Sequence, residues 1–230
     1  MIIEVKNTCE NFNTYRSARV KSLFNAERGD TFELKADIPI DDMEWQIGLI
    51  VGASGTGKTS IGKKLFGGGK IIDLYSGWGK TPIVEEISPG GDFNAVTGAL
   101  ANVGLGDVPS WLRPFHALSN GQQFRAGLAR LISDAPDEVI VDEFTSVIDR
   151  QIAKIGAMAF AKGWRRNKGK KIILLSCHYD IVEWLQPDWV FDTGTGITKK
   201  ETNSNHDQVS SWEFGRSTPL TGDILNRITI

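Results

Sequence analysis

Hydrophobic positions along this chain come in short runs separated by polar, glycine-rich connections. Apolar and β-branched residues concentrate at 2–5, 45–51, 70–74, 138–141 and 171–175. Unbroken apolar runs of about four to eight residues, bounded by turn signals, predict strands buried on both faces, as in a parallel sheet. Between them, residues 59–66, 122–133 and 151–165 space their apolar positions at the helical period, and glycines 67–69 stop the first of these segments. Strand and helix alternate, as βαβ units require, so the expected fold is α/β with a mostly parallel central sheet and a β-rich N-terminal part. The last stretch, 193–230, is polar and carries only scattered apolar residues such as Trp212, Phe214, Leu220, Ile224 and Leu225. It reads as a partly docked tail behind a main domain of 1–192.

Composition narrows the class. The 230 residues, 40% hydrophobic and 23% charged, suffice for one substantial core and are few for two complete domains. A formal charge of −2 excludes a general positive field that would draw the protein to nucleic acid or anionic lipid. No segment approaches the roughly 18 consecutive apolar residues needed to cross a bilayer, and residues 1–10 lack the charged start and apolar stretch of a secretory signal. The expected location is therefore cytoplasmic, without membrane insertion. Cys9 and Cys177 are too few for a disulfide framework and read as reduced thiols.

Two motifs carry chemistry. Residues 52–59 read GASGTGKT, directly after the apolar IGLIV and directly before the helical SIGKKLF, which fits the phosphate-binding pattern G-x-x-x-x-G-K-[ST] in its required strand–loop–helix context. Backbone N–H groups in such a loop converge on an anion, which favours residues without bulky side chains at Gly52, Gly55 and Gly57. Ser54, Thr56 and Ser60 complete the candidate phosphate contacts. Lys58 reaches the β- and γ-phosphates of a nucleoside triphosphate, and the Thr59 hydroxyl suits Mg²⁺, a hard cation that prefers oxygen. The second motif, EVIVDEFTSVIDR at 138–150, is an apolar strand ending in two carboxylates. Asp142 is positioned to hold Mg²⁺, directly or through water, and Glu143 to polarise an attacking water as general base.

Residues 118–130, LSNGQQFRAGLAR, closely resemble the LSGGQ signature and following helix of ATP-binding-cassette (ABC) ATPases. Four ordered motifs extend this resemblance over 2–192. It implies an ABC-type P-loop core with a short helical signature subdomain at about 76–135. It also implies Mg²⁺-dependent ATP binding and hydrolysis, and a homodimer that sandwiches two ATP molecules. In that family the signature caps nucleotide held by the opposite subunit, so Ser119 and the backbone of Gly121 would meet a γ-phosphate gripped by the partner subunit's Lys58. Ser119 also suits a helix N-cap. By the same resemblance, Asp149 belongs to a loop crossing the dimer interface, and His178, 36 residues beyond Asp142, is a switch histidine contacting the γ-phosphate.

The departures from the family pattern shape the expected output. The family places a Gln between the phosphate loop and the signature, yet no Gln occurs in 61–119; Ser76, Glu85 and Glu86 are candidate substitutes. Leu118 lies only 59 positions beyond Thr59, leaving little chain for the helical subdomain with which transporter ATPases grip a membrane subunit. Phe12, Tyr15 and Phe24 are candidate adenine stackers. A narrower similarity is to soluble, stand-alone ABC ATPases of bacteria and phages. The leading expectation is an ATPase driving a conformational cycle on a protein or nucleic-acid partner, with a transporter's nucleotide-binding subunit and a DNA-repair-type ATPase as alternatives. Six basic residues in 162–171 read as a solvated helix end. Trp184 and Trp189 read as core, and Trp78, Trp111 and Trp212 as a candidate partner surface.

Overall fold

A computed structural model describes residues 1–8, 14–24, 31–41, 43–67 and 71–200. Cys9, Phe12, the glycines at 68 and 69, and the tail from 201 onward, Trp212 included, lie outside the described residues. The described residues divide into two compact units, one of 1–3 with 36–200 and one from 4–35.

The larger unit is built on a six-stranded sheet. Its strands are β3 (Ile47–Val51), β4 (Ile71–Ile72), β5 (Glu138–Val141), β6 (Lys171–Ser176), β7 (Trp189–Asp192) and β8 (Ile197–Lys200), in the spatial order β4-β5-β6-β3-β7-β8. Every pairing is parallel except that of β7 with β8. The expected mixed α/β architecture with a mostly parallel sheet is what the chain adopts. All five residues of β3 are buried, as the unbroken apolar run requires. Gly48 in β3 leaves room for the Trp189 ring from β7, into which any β-carbon there would run.

Helix α2 (Lys58–Leu65) follows β3. Then come α3 (Ile83–Glu86), α4 (Phe93–Asn102), α5 (Val108–Trp111) and a 3₁₀ turn (Phe115–Ala117) before α6 (Asn120–Asp134). Helices α7 (Arg150–Trp164) and α8 (Ile181–Leu185) flank β6 in sequence, and α4, α6 and α7 pack against one another. A line of buried rings, Phe124, Phe144, Phe160 and Trp164, runs from α6 into α7 with successive centroids 5.7, 6.1 and 5.8 Å apart. In the smaller unit, α1 (Tyr15–Phe24) buries no residue. The strands β1 (Ile2–Thr8) and β2 (Thr31–Asp37) pair as a separate two-stranded sheet, bridged by Lys6–Glu33 (2.6 Å) and Lys35–Glu4 (2.9 Å).

Several expectations are corrected by tertiary chemistry. The strand expected at 45–51 starts at Ile47, because the N–H groups of Gln46 and Ile47 donate to the Asp188 carboxylate at 2.8 Å. Of the described part of the run, 71–74, only Ile71–Ile72 is strand, since Asp73 accepts from the Tyr75 N–H (2.9 Å) and turns the chain. The apolar start at 2–5 pairs with β2 and takes no place in the main sheet. Ile197–Lys200, read from sequence as part of the tail, is a strand of the main sheet.

Trp78 and Trp111 are half-buried structural residues. The Trp78 ring stacks on Phe115 at 4.3 Å, lies 3.6 Å from the Arg130 guanidinium and donates to Leu74 O, while Trp111 donates to Leu105 O (2.7 Å). Trp189 is fully buried as expected, but Trp184 is only half-buried. Half of the basic cluster is spent internally: Arg165 pairs with Asp188 (2.9 Å), Lys170 with Asp137 (2.5 Å), and Lys171 lies 5.3 Å from the Trp45 ring.

Candidate active site

Parallel register brings the carboxyl ends of β3, β5, β6 and β7 to one edge of the sheet, where ligands of open α/β sheets bind. Val51 aligns with Ser176 and Asp192, and Val141 with Leu174. The next residues along the chain are Gly52, Asp142, Cys177 and Thr193. Candidates from three distant segments therefore meet because their strands are neighbours.

The 52–59 loop has the backbone of an anion cradle. Gly52, Gly55 and Gly57 hold φ of +147°, +80° and +84°, which side-chain-bearing residues rarely adopt. Gly57 occupies the N-cap of α2 in the left-handed conformation. Gly52 has a second reason to be glycine: any β-carbon there would collide with the Thr193 hydroxyl. Thr193 Oγ1 donates to Val51 O (3.1 Å) and lies 2.7 Å from Thr56 Oγ1, so Thr56 is tied to the sheet edge. The Lys58 ammonium is folded back on its own loop and donates to Gly52 O (2.8 Å) and Ala53 O (2.7 Å). Ser54 is exposed and Ser60 half-buried.

Across the sheet, Thr59 Oγ1 donates to Asp142 Oδ2 at 2.7 Å, joining the first turn of α2 to the end of β5. The other Asp142 oxygen accepts the Glu143 N–H at 2.9 Å. This pair fits Mg²⁺ by its donor chemistry, one carboxylate and one hydroxyl, both hard oxygens. Among the described residues no group of three or more His, Cys, Asp and Glu side chains gathers into a metal cage. Glu143 is exposed at φ +51°. His178 is half-buried just beyond β6, its backbone N–H donating to Ser176 Oγ (3.1 Å).

Ser119 is the N-cap of α6. Its Oγ accepts from the Gln122 N–H (3.4 Å) and its own N–H donates to Gln122 Oε1 (3.0 Å), a full capping box that leaves Ser119 exposed. Gly121 is buried, and a β-carbon there would lie 2.9 Å from Ile152 Cδ1, so glycine is needed for the approach of α6 to α7. Asp149 caps α7, accepting from the Gln151 and Ile152 N–H groups.

Of the three candidate stand-ins for the absent Gln, Glu86 is engaged structurally. It accepts from Gly79 N, Thr81 N and Thr81 Oγ1, and lies 3.8 Å from Arg130. Burial pushes this carboxyl up, but the hydrogen bonds and Arg130 outweigh it and hold the group below the usual range. Ser76 donates to Asp73 O, and Glu85 is exposed. Tyr15 and Phe24 are exposed on α1. A cavity of about 290 Å³ between β4 and α6, lined by Ile72, Asp73, Leu74, Arg130, Leu131 and Asp134, contains none of the residues assigned to phosphate or metal.

A parallel sheet with a glycine loop and lysine after β3, and a carboxylate at the end of β5 bonded to the loop's Thr59, is the arrangement of the P-loop nucleotide-binding fold. No protein-family model matches the chain. Two curated relatives do. The nickel import ATP-binding protein NikO of Rhodobacter capsulatus is 34% identical over 88 residues, 38% of this chain and 34% of that protein. The methionine import ATP-binding protein MetN 2 of Acinetobacter baylyi is 33% identical over 66 residues, 29% of this chain and 19% of that protein. The chain thus spans about a third or less of the curated relatives it matches. Among solved structures, a bacterial Atm1-family ABC exporter with ATP bound superposes with a TM-score of 0.50 at 17% identity, over 70% of this chain and 33% of that one. Motif order and the matched segments liken this chain to ATP-binding-cassette ATP-binding proteins, and its fold is that of an ABC-type P-loop core. Among the described residues no helix is long and apolar enough to cross a membrane.

Proposed function

We propose that the chain binds and hydrolyses ATP with Mg²⁺ in a homodimer, each copy supplying half of two nucleotide sites, and that the cycle works on a protein or nucleic-acid partner in the cytoplasm. The observation that carries the reading is the Thr59–Asp142 hydrogen bond, which places a hydroxyl and a carboxylate together beside the phosphate loop. Lys58 is poised for exchange: it leaves the Gly52 and Ala53 carbonyls for phosphate oxygens, trading neutral acceptors for charged ones. The loop N–H groups and the first turn of α2 add positive potential, with Ser54, Thr56 and Ser60 at its rim. Thr59 and Asp142 would hold the metal, which when bound would neutralise charge on the phosphate oxygens. Glu143 orients the attacking water and accepts its proton. His178 and, from the second copy, Ser119, Gly121 and Asp149 close over the γ-phosphate. Catalysis is then positioning and electrostatics with little covalent work by the protein.

Size-exclusion chromatography of Glu143→Gln with saturating Mg-ATP tests this: a trapped dimer is expected, and a monomer overturns the sandwich. Lys58→Ala is expected to abolish nucleotide binding. The import ATP-binding relatives favour a second reading, a transporter's nucleotide-binding subunit. Co-purification of the chain with a membrane protein would select it.

A further inference from the structure

Residues 142–148, a run of turns between β5 and α7, contain two non-glycine residues in left-handed conformation, Glu143 (φ +51°) and Thr145 (φ +67°). Such residues persist only where their surroundings hold them, so the neighbours of this turn show what sets its shape. Phe144 anchors it from below, its N–H donating to Leu175 O (2.8 Å) and its ring buried between Phe124 and Phe160. From the side, Arg150 Nη1 donates to Oγ1 of Thr145 at 3.3 Å, and Thr145 is only 2% exposed.

The same guanidinium grips the other catalytic loop. Arg150 Nε donates to Asp180 Oδ2 at 3.0 Å, Nη2 donates to Asp180 Oδ1, and the group lies 4.8 Å from the Trp184 ring. Asp180 stands two residues after His178 and directly before α8. One planar, fork-shaped cation therefore spans the turn that carries Glu143 and the loop that carries His178, a geometry an ammonium does not reproduce. Local preference points the other way, which makes a tertiary reason necessary: Arg150 is the first residue of α7, where the helix dipole disfavours a cation. An ion pair whose side chains are 36% and 46% exposed adds little to global stability.

We propose that Arg150 and Asp180 are positioning residues that lock the Glu143 turn to the His178 loop, so that the general base and the γ-phosphate contact approach nucleotide as one preset unit. This rests on the ATPase reading above. The test uses the full chain with Arg150→Lys and Asp180→Asn, following thermal melts, steady-state ATP hydrolysis with Mg²⁺, and the side-chain ¹H–¹³C resonance of His178 without nucleotide, assigned by its loss in His178→Gln. Both variants are expected to lower kcat about tenfold or more with KM within about twofold, since small misplacements of catalytic groups act on the chemical step. The melt should stay intact and the His178 resonance should shift or broaden. Unchanged kcat with an unchanged resonance overturns the proposal, while a dead Glu143→Gln in the same assay would leave the ATPase reading standing. Loss of kcat only alongside a collapsed melt, in both variants, overturns it too. If the wild-type chain hydrolyses no ATP, the ATPase reading fails and the resonance alone decides: a moved signal supports the lock, an unmoved one removes it.

Discussion

Replacing Gly121 by Ala separates what the signature helix needs for packing from what it offers to nucleotide. Gly121 is the second residue of α6, and its new β-carbon would lie 2.9 Å from Ile152 Cδ1 and 3.2 Å from Cγ2 on α7. Overpacking of this kind costs about 1–3 kcal/mol. The gain from removing glycine's backbone freedom is at most about 1 kcal/mol, and less near a helix start. The net loss is therefore about 1–2 kcal/mol, a fall of roughly 2–8 °C in melting temperature for a chain of this size. Ile152→Val deletes the methyl responsible for the closest contact. Placed in that background, Gly121→Ala should cost almost nothing or stabilise slightly, so the pair is strongly non-additive. Thermal or urea unfolding of the two single variants and the double measures this directly. Strict additivity, or a Gly121→Ala protein more stable than wild type, would refute the packing argument. Because a backbone N–H survives the substitution, the double variant should also recover ATP-driven dimerisation. Recovery of stability without recovery of the dimer would mean that Gly121 is needed at the nucleotide as well.

Thr59→Val keeps the shape of the side chain but leaves Asp142 Oδ2 without its 2.7 Å donor; ATP affinity should fall about tenfold or more with Mg²⁺ present and change little in EDTA. Equal losses in both conditions would detach this hydroxyl from the metal. Burial, then the hydrogen bond to Asp192 (2.9 Å), raises the Tyr179 phenol to about 12. The folded state therefore holds its proton where the unfolded chain, titrating near 10, has lost it. The associated stability is complete below pH 10 and disappears as pH climbs from 10 to 12. Ultraviolet titration of wild type against Tyr179→Phe should show one fewer phenol ionising near pH 12, and an identical pair of curves would contradict the assignment. Arg130→Lys abandons the stack on Trp78 and the contacts to Gly77 O (3.1 Å) and Glu86 O (3.1 and 3.2 Å). It should destabilise by about 1–3 kcal/mol, and a melting temperature within error of wild type would disprove that role.

Much of the candidate site's local geometry was legible because it is set by near neighbours in sequence. The glycines, lysine and threonine of 52–59 sit on consecutive residues, and the backbone conformation such a loop demands is written in which positions lack a β-carbon. The same holds for the capping box at Ser119 and Gln122, three residues apart, and for the apolar runs of β3, β5 and β6, whose burial on both faces follows from their unbroken hydrophobicity. Edge strands were harder to read: β4 is two residues long and ends where Asp73 takes over a backbone N–H, while β8, beginning at Ile197, is mostly polar and gains its place by pairing with β7.

What tertiary structure alone decided are the contacts between residues far apart in the chain. Thr59 meets Asp142 across 83 positions because β3, β6 and β5 lie side by side in parallel. Thr193 fills the space beside Gly52 because β7 is the other neighbour of β3. Arg150 reaches Asp180 across α7 and β6, and Trp78 is drawn from a loop into a stack between Phe115 and Arg130. A hydrophobic pattern states that a strand is buried, but many strand orders would bury it equally well. The order adopted is set by the summed packing of the whole sheet and its helices, and that order determines which distant side chains gather at the carboxyl edge of the sheet.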